Sequence, residues 1–137
     1  MKVFLIGCGD IARHHGRAVV RLGGSINGCF DISETNARIV SEEFGCPSVK
    51  YEEIERLAAQ ADYVVISTPP TKRLDYVEMV LRNHVPLYME KPVSATLDDA
   101  MKIKDMADKY DAKIMVGFAH YYRPAYQKML ELVKTGM

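Results

Sequence analysis

Short apolar runs rich in β-branched residues alternate with amphipathic helical patterns along the whole chain, and that alternation leaves few folds open. Strands are expected at residues 2–6, 26–30, 62–67, 85–89 and 113–118, with a short one near 48–50. Helices are expected over 10–22, 33–44, 51–59, 71–83 and 96–109. Runs such as Asp62-Tyr63-Val64-Val65-Ile66 are too short for helices and lie between helical patterns, so they read as strands buried on both faces. Such alternation, closed by right-handed crossovers, builds a doubly wound parallel sheet, an α/β fold in three layers, α/β/α.

Local signals agree with this order. Ile11, His15, Ala18, Val19 and Leu22 recur at helical spacing, and Gly23-Gly24 then stops the helix. Ser33 stands ready to cap the second helix, and Thr96 stands three residues before Asp99 at the start of the fifth. Leu97, Ala100, Met101, Lys104 and Ala107 are expected to form a half-buried stripe there. Tyr122, Tyr126, Met129, Leu130 and Val133 mark a last apolar helical face, beyond the point where the sheet is already covered.

Bulk properties exclude several classes. Lys+Arg and Asp+Glu both number 18, so no global basic field exists to hold nucleic acid or an anionic membrane. No apolar stretch reaches the roughly 18 residues of a membrane span, and the first apolar run is too short for a secretory signal. Cys8, Cys29 and Cys46 lack metal-ligand spacing, so no metal site is expected. They read as buried or free thiols of a reducing cytoplasm.

The run Val3-Phe4-Leu5-Ile6 leads into Gly7-Cys8-Gly9-Asp10-Ile11-Ala12 and then a helical pattern. A strand, a tight glycine turn and a helix N-terminus form the geometry that receives a dinucleotide pyrophosphate, the Rossmann dinucleotide-binding arrangement. Gly7 permits the turn, and Gly9 leaves the backbone open to phosphate oxygens. The amides of Cys8, Asp10 and Ile11 complete the cradle, and Ala12 keeps the helix close to the sheet. Asp31 ends the second strand, where a carboxylate accepts hydrogen bonds from the adenosine ribose. The same carboxylate opposes a 2′-phosphate. Two charges about 5 Å apart at an effective dielectric of about 20 repel by roughly 3 kcal/mol, an upper figure at a solvated edge. Residues 32–36 hold no Arg or Lys, so NAD is expected ahead of NADP.

Two further strand ends carry polar groups. Ser67-Thr68-Pro69-Pro70 closes the run at 62–67, and its paired prolines force an extended turn at the carboxyl edge, where Ser67, Thr68 and Pro69 are expected to contact the cofactor, the last two on its adenine or nicotinamide side. Glu90-Lys91-Pro92 follows Leu87-Tyr88-Met89. A lysine ammonium there can hold the oxygen of a substrate alcohol and steady the charge that develops as hydride leaves carbon. Glu90 is expected to orient that lysine or to bond a ribose hydroxyl, and Pro92 to fix the backbone after it, in a peptide bond open to the cis form.

With these clusters in order, the chain resembles the glucose–fructose oxidoreductase, inositol dehydrogenase and rhizopine-catabolism family (Gfo/Idh/MocA). The resemblance runs over nearly the whole chain: the glycine loop, Asp31, Ser67-Thr68-Pro69-Pro70, Glu90-Lys91-Pro92, and Val116-Gly117-Phe118 with Pro124. It implies that Lys91 is the active-site lysine, with its bond to Pro92 often cis. It implies sugars, polyols and related hydroxy compounds as substrates, with NAD(P) as cofactor. Two positions depart from the family pattern: Arg73 stands where a histidine is usual, and Tyr121 where an arginine is frequent. Family enzymes also carry a second, mostly antiparallel domain that supplies most substrate contacts.

The expectation is therefore a cofactor-binding domain over residues 1–120, followed over 121–137 by a crossover helix toward a substrate domain that this chain lacks. Such a chain binds NAD(H) and turns over poorly alone. The alternative is a non-enzymatic NAD-binding sensor or regulatory module. The apolar stripe over residues 122–133 leads to a further expectation of a homo-oligomer.

Overall fold

A computed structural model describes residues 1–136. Five strands form one all-parallel sheet in the order β2-β1-β3-β4-β5. These are β1 (Lys2–Ile6), β2 (Ser25–Phe30), β3 (Tyr63–Ile66), β4 (Leu87–Met89) and β5 (Ile114–Val116). The helices between them are α1 (Asp10–Arg21), α2 (Glu34–Phe44), α3 (Ile54–Ala58), α4 (Leu74–Leu81) and α5 (Leu97–Lys109), with α6 (Pro124–Lys134) after the last strand.

The period-2 geometry of a strand divides the core. Phe4 and Ile6 of β1 face one way, with Val64, Ile66, Leu87 and Met89, and pack against Ile54, Val77, Val80, Leu81 and Ile103 of α3, α4 and α5. Val3 and Leu5 face the other way, with Val65 and Cys29, and pack against Val19 of α1 and Ala37 and Val40 of α2. Each fully buried aliphatic or aromatic side chain contributes about 1.5–3 kcal/mol relative to exposure, so β1, covered on both faces, anchors the domain. Helices on both faces of a parallel sheet are the three-layer α/β/α arrangement.

Several boundaries move, for identifiable reasons. No strand forms at 48–50: Ser48 makes only an isolated bridge to Cys29. Cys29 belongs to β2, so the bridge sits on the outer edge of that strand, where the expected strand would have paired. The expected helix over 51–59 splits into a 3-10 turn (Tyr51–Glu53) and the short α3. The expected helix over 71–83 starts late, because Pro70 opens a 3-10 turn to Lys72 before α4 begins at Leu74.

Two helix faces are rotated from their expected positions. On α1 the buried residues are Ala12, Gly16 and Val19, while Ile11 and Leu22 are exposed. Small residues let the helix approach its neighbours: a Cβ on Gly16 would sit 2.5 Å from the Phe44 ring. On α5 the core residue is Ile103, and Leu97 and Met101 point to solvent. Helix α6 is present, with Tyr126, Met129 and Val133 exposed along it and Leu130 half-buried. Tyr122 belongs to the turn before it.

Candidate functional site

The strand order reverses between β1 and β3, since β2 lies on the other side of β1. Carboxyl-end loops diverge at such a point, and in open α/β sheets the resulting crevice takes the ligand. A cavity of about 780 Å³ opens there. Its floor is Gly7 and Gly9, one wall is Asp31, Ser33 and Asn36, and the other is Ser67, Thr68 and Pro69.

Gly7 is held at φ 87°, and a Cβ on it would come within 2.9 Å of the Ser67 carbonyl carbon and the Thr68 nitrogen. Only glycine satisfies both demands. Its own N–H is spent on the carbonyl of Phe30, 2.8 Å away. Gly9 is the N-cap of α1 in an extended conformation, and the space where its Cβ would stand is empty. Beyond it the first-turn amides of α1 have no acceptor within the helix, and the macrodipole adds partial positive charge.

Asp31 joins the glycine loop to α2. Its Oδ2 accepts the Cys8 N–H at 2.6 Å and its Oδ1 accepts the Ser33 N–H at 2.8 Å. A carboxylate offers about four lone-pair positions, so acceptor capacity remains for ligand hydroxyls. Ser67 Oγ and Thr68 Oγ1 are buried and have no hydrogen-bond partner among the described residues. Phe30, Tyr51 and Tyr76 close the cavity at one end, with ring centroids 5.9–6.2 Å apart. Burial raises the Tyr76 phenol above its ordinary value, with the charges of Tyr51, Asp75 and Asp31 adding to the shift.

Of the residues expected to contact cofactor, Gly7, Gly9, Asp31, Ser67, Thr68 and Pro69 line this one crevice. Asp10 and Ile11 stand exposed on the first turn of α1. Cys8 departs from the expectation. Its side chain is buried in the core, its thiol meets the Phe30 carbonyl at 3.4 Å, and its N–H is taken by Asp31. Neither group is left for a ligand.

Glu90, Lys91 and Pro92 lie beyond β4, one strand over, and do not line the crevice. The Lys91 side chain is exposed, and the Lys91–Pro92 peptide bond is cis. Glu90 does not turn to the lysine. Its Oε1 pairs with His15 Nε2 of α1 at 2.8 Å, a contact that is ionic when the imidazole is protonated. The same imidazole packs edge-on to Tyr88 at 4.8 Å. Helical periodicity placed His15 on α1, but nothing local could announce a partner so distant in the chain.

The least expected residue is Arg73. It is 1% exposed, the one buried charged side chain among the described residues. Its guanidinium donates to the carbonyls of Thr68 (2.6 Å), Glu90, Pro92 and Val93 (3.4 Å). Burial lowers its pKa, and the negative charge of Glu90 opposes that shift. The departure from the family histidine was the only signal in the sequence that this position is unusual.

A family model described as an oxidoreductase family with an NAD-binding Rossmann fold matches residues 1–118. Glucose-6-phosphate 3-dehydrogenase of Bacillus subtilis is 27% identical over 122 residues, covering 88% of this chain and 34% of the relative. Inositol 2-dehydrogenase of Rhizobium meliloti is 26% identical over 133 residues, covering 96% and 40%. The D-xylose 1-dehydrogenase [NADP(+)] of Haloarcula marismortui is 31% identical over 91 residues, covering 65% and 25%. The solved scyllo-inositol dehydrogenase of Lactobacillus casei with bound NAD(H) and scyllo-inositol superimposes with a TM-score of 0.86 at 17% identity, over 99% of this chain and 41% of that one. At that identity the likeness carries the fold alone. The chain thus spans between a quarter and about two fifths of the length of these relatives.

Proposed function

The chain belongs to the Gfo/Idh/MocA oxidoreductase family, with its NAD-binding Rossmann fold, and from that premise we propose that it is the cofactor-binding part of a dehydrogenase. The enzyme transfers hydride between NAD(H) and a hydroxyl-bearing carbon of a sugar, polyol or related compound. The observation that carries this reading is the open glycine floor beneath two orphaned hydroxyls, at the point where the strand order reverses.

These residues fit the cofactor. The open space at Gly9 and the free amides of Asp10 and Ile11 suit a diphosphate. Asp31 suits ribose hydroxyls and disfavours a 2′-phosphate, so NAD is favoured although one relative is named for NADP(+). Ser67 Oγ and Thr68 Oγ1 gain partners when a polar ligand fills the crevice. The Phe30, Tyr51 and Tyr76 rings offer an apolar seat for the adenine. When bound, the nicotinamide supplies or accepts the hydride. Lys91 holds the substrate oxygen and stabilises its charge as the hydroxyl proton leaves.

The three buried thiols fit a reducing, cytoplasmic setting. The exposed stripe of Tyr126, Met129 and Val133 fits packing against further polypeptide, a second copy included, and keeps open the reading as a non-catalytic NAD-binding module. Isothermal titration of the chain with NADH tests the cofactor reading. Saturable binding with a stoichiometry near one supports it, and no heat at millimolar NADH contradicts it.

A further inference from the structure

Arg73 stands in the middle of the machinery just described, and that reading assigns it nothing. It sits between Thr71 and Lys72 on one side and Leu74 and Asp75 on the other, all four of which line the crevice. Its own side chain turns away from the crevice and into the protein. There it donates to Thr68, in the loop after β3, and to Glu90, Pro92 and Val93, in the loop after β4. Lys91 lies between two of those held carbonyls.

A buried cation is costly unless hydrogen bonds or charges compensate it. Among the described residues no carboxylate oxygen touches this guanidinium, and the compensation comes from carbonyls of two separate loops. Guanidinium has five N–H donors in a rigid planar fork, which lets one side chain serve two loops at once. An ammonium or an imidazole has neither the span nor the donor count. Glu90 is meanwhile gripped from the opposite face of the sheet, where its carboxylate meets His15. The backbone that carries Lys91 is thus tied on both sides, and one tie leads directly to the crevice wall.

We propose that Arg73 is a positioning residue that couples the nucleotide crevice to Lys91, by locking the Thr68 loop and the Glu90–Val93 loop into one rigid unit. The coupling rests on the cofactor reading above, but the lock itself does not. A ligand that orders Thr68 orders the Lys91 backbone through the same guanidinium. Without the guanidinium, the crevice still binds nucleotide but the lysine loop no longer responds.

Hydrogen–deuterium exchange on the chain, with and without NADH, tests this in wild type, Arg73→Met and Arg73→Lys. Methionine keeps the volume and removes both charge and donors, and lysine keeps the charge without the fork. Melting curves establish that each variant folds, and the lysine variant carries the comparison if the methionine variant does not. Without NADH, peptides spanning 65–72 and 88–95 are expected to exchange at least tenfold faster in the variants, with β1 unchanged. With saturating NADH, both peptides gain protection in wild type, whereas only 65–72 does so in the variants, at a Kd within about threefold of wild type. Protection that still reaches 88–95 in the variants, or ligand-free exchange equal to wild type in both loops, overturns the proposal. A wild type that NADH leaves unprotected throughout contradicts the cofactor reading, removes the coupling with it, and leaves the ligand-free comparison to decide the lock.

Discussion

Gly7 illustrates how much one residue can carry. Its positive φ and the 2.9 Å approach to the backbone at Ser67 and Thr68 are both incompatible with a Cβ. Gly7→Ala is expected to lower stability by about 1–3 kcal/mol and to weaken NADH binding at least tenfold. Denaturant melts and NADH fluorescence titration measure the two effects separately. Asp31 combines a structural and a selective role, because its oxygens also organise the Cys8 and Ser33 amides. Asp31→Asn keeps the shape, removes the charge and turns an NH2 donor toward one of those two amides, so the readout is the ratio of two affinities rather than either alone. The preference for NADH over NADPH, read as a ratio of Kd values, is expected to shrink about tenfold or more, and an unchanged ratio would remove the electrostatic argument. The thiols behave differently. The neighbouring Cys46 thiol lowers the Cys29 pKa, but the Cys8 thiol, burial and nearby Asp31 outweigh it and push the group up to about 12. The Cys29 thiol and burial raise Cys46 as well. A folded-state pKa above the unfolded value contributes stability at lower pH and loses it as pH rises through the folded value. Stability is therefore expected to fall as pH climbs from about 9 toward 12, followed by urea midpoints across that range.

Among the elements, α1 and α2 are joined by charge as well as by apolar packing. Glu43 of α2 accepts from Arg13 at 2.7 Å and from Arg17 at 2.6 Å, both on α1. These arginines, Arg13 foremost, hold the Glu43 carboxyl below its ordinary value, and Arg82 does the same for Glu55. Sign follows cause: a depressed carboxylate stabilises above its unfolded pKa and loses that contribution as pH falls through the folded value. Stability is thus expected to decline as pH drops below about 4.5, and Glu43→Gln to flatten part of that decline at the cost of a few degrees in Tm at neutral pH. The elements themselves were mostly legible, because β-branched runs and glycine turns act locally. The buried faces of α1 and α5 were not. Ala12 and Gly16 bring α1 close to its neighbours while adding little hydrophobic signal, so the larger Ile11 and Leu22 misdirect a reading by periodicity. The split over Tyr51–Ala58 reflects a turn that hydrophobic spacing does not encode. The roles of Arg73 and His15 were illegible for a different reason. Charged residues are exposed on average, and the partners of both lie far along the chain.

Across the whole molecule, coverage is uneven. The β1 strand is sealed on both faces, whereas Met115 of β5 and Tyr126, Met129 and Val133 of α6 are open to solvent. Large apolar side chains left exposed along one helix favour association. Sedimentation of the chain is expected to show self-association that Met129→Glu reduces, and an identical mass distribution for both proteins would count against pairing through this face. The crevice, by contrast, draws its floor and walls from the loops that follow β1, β2 and β3 and from the start of α2, and its aromatic end from Phe30 of β2, Tyr51 of the 3-10 turn before α3 and Tyr76 of α4. A crystal structure of this chain grown with NADH tests the account most directly. It should place the diphosphate against the amides of Gly9, Asp10 and Ile11, a ribose on Asp31, and the nicotinamide on the side toward Lys91. A crevice closed to ligand at high NADH, or a diphosphate bound elsewhere, would contradict it.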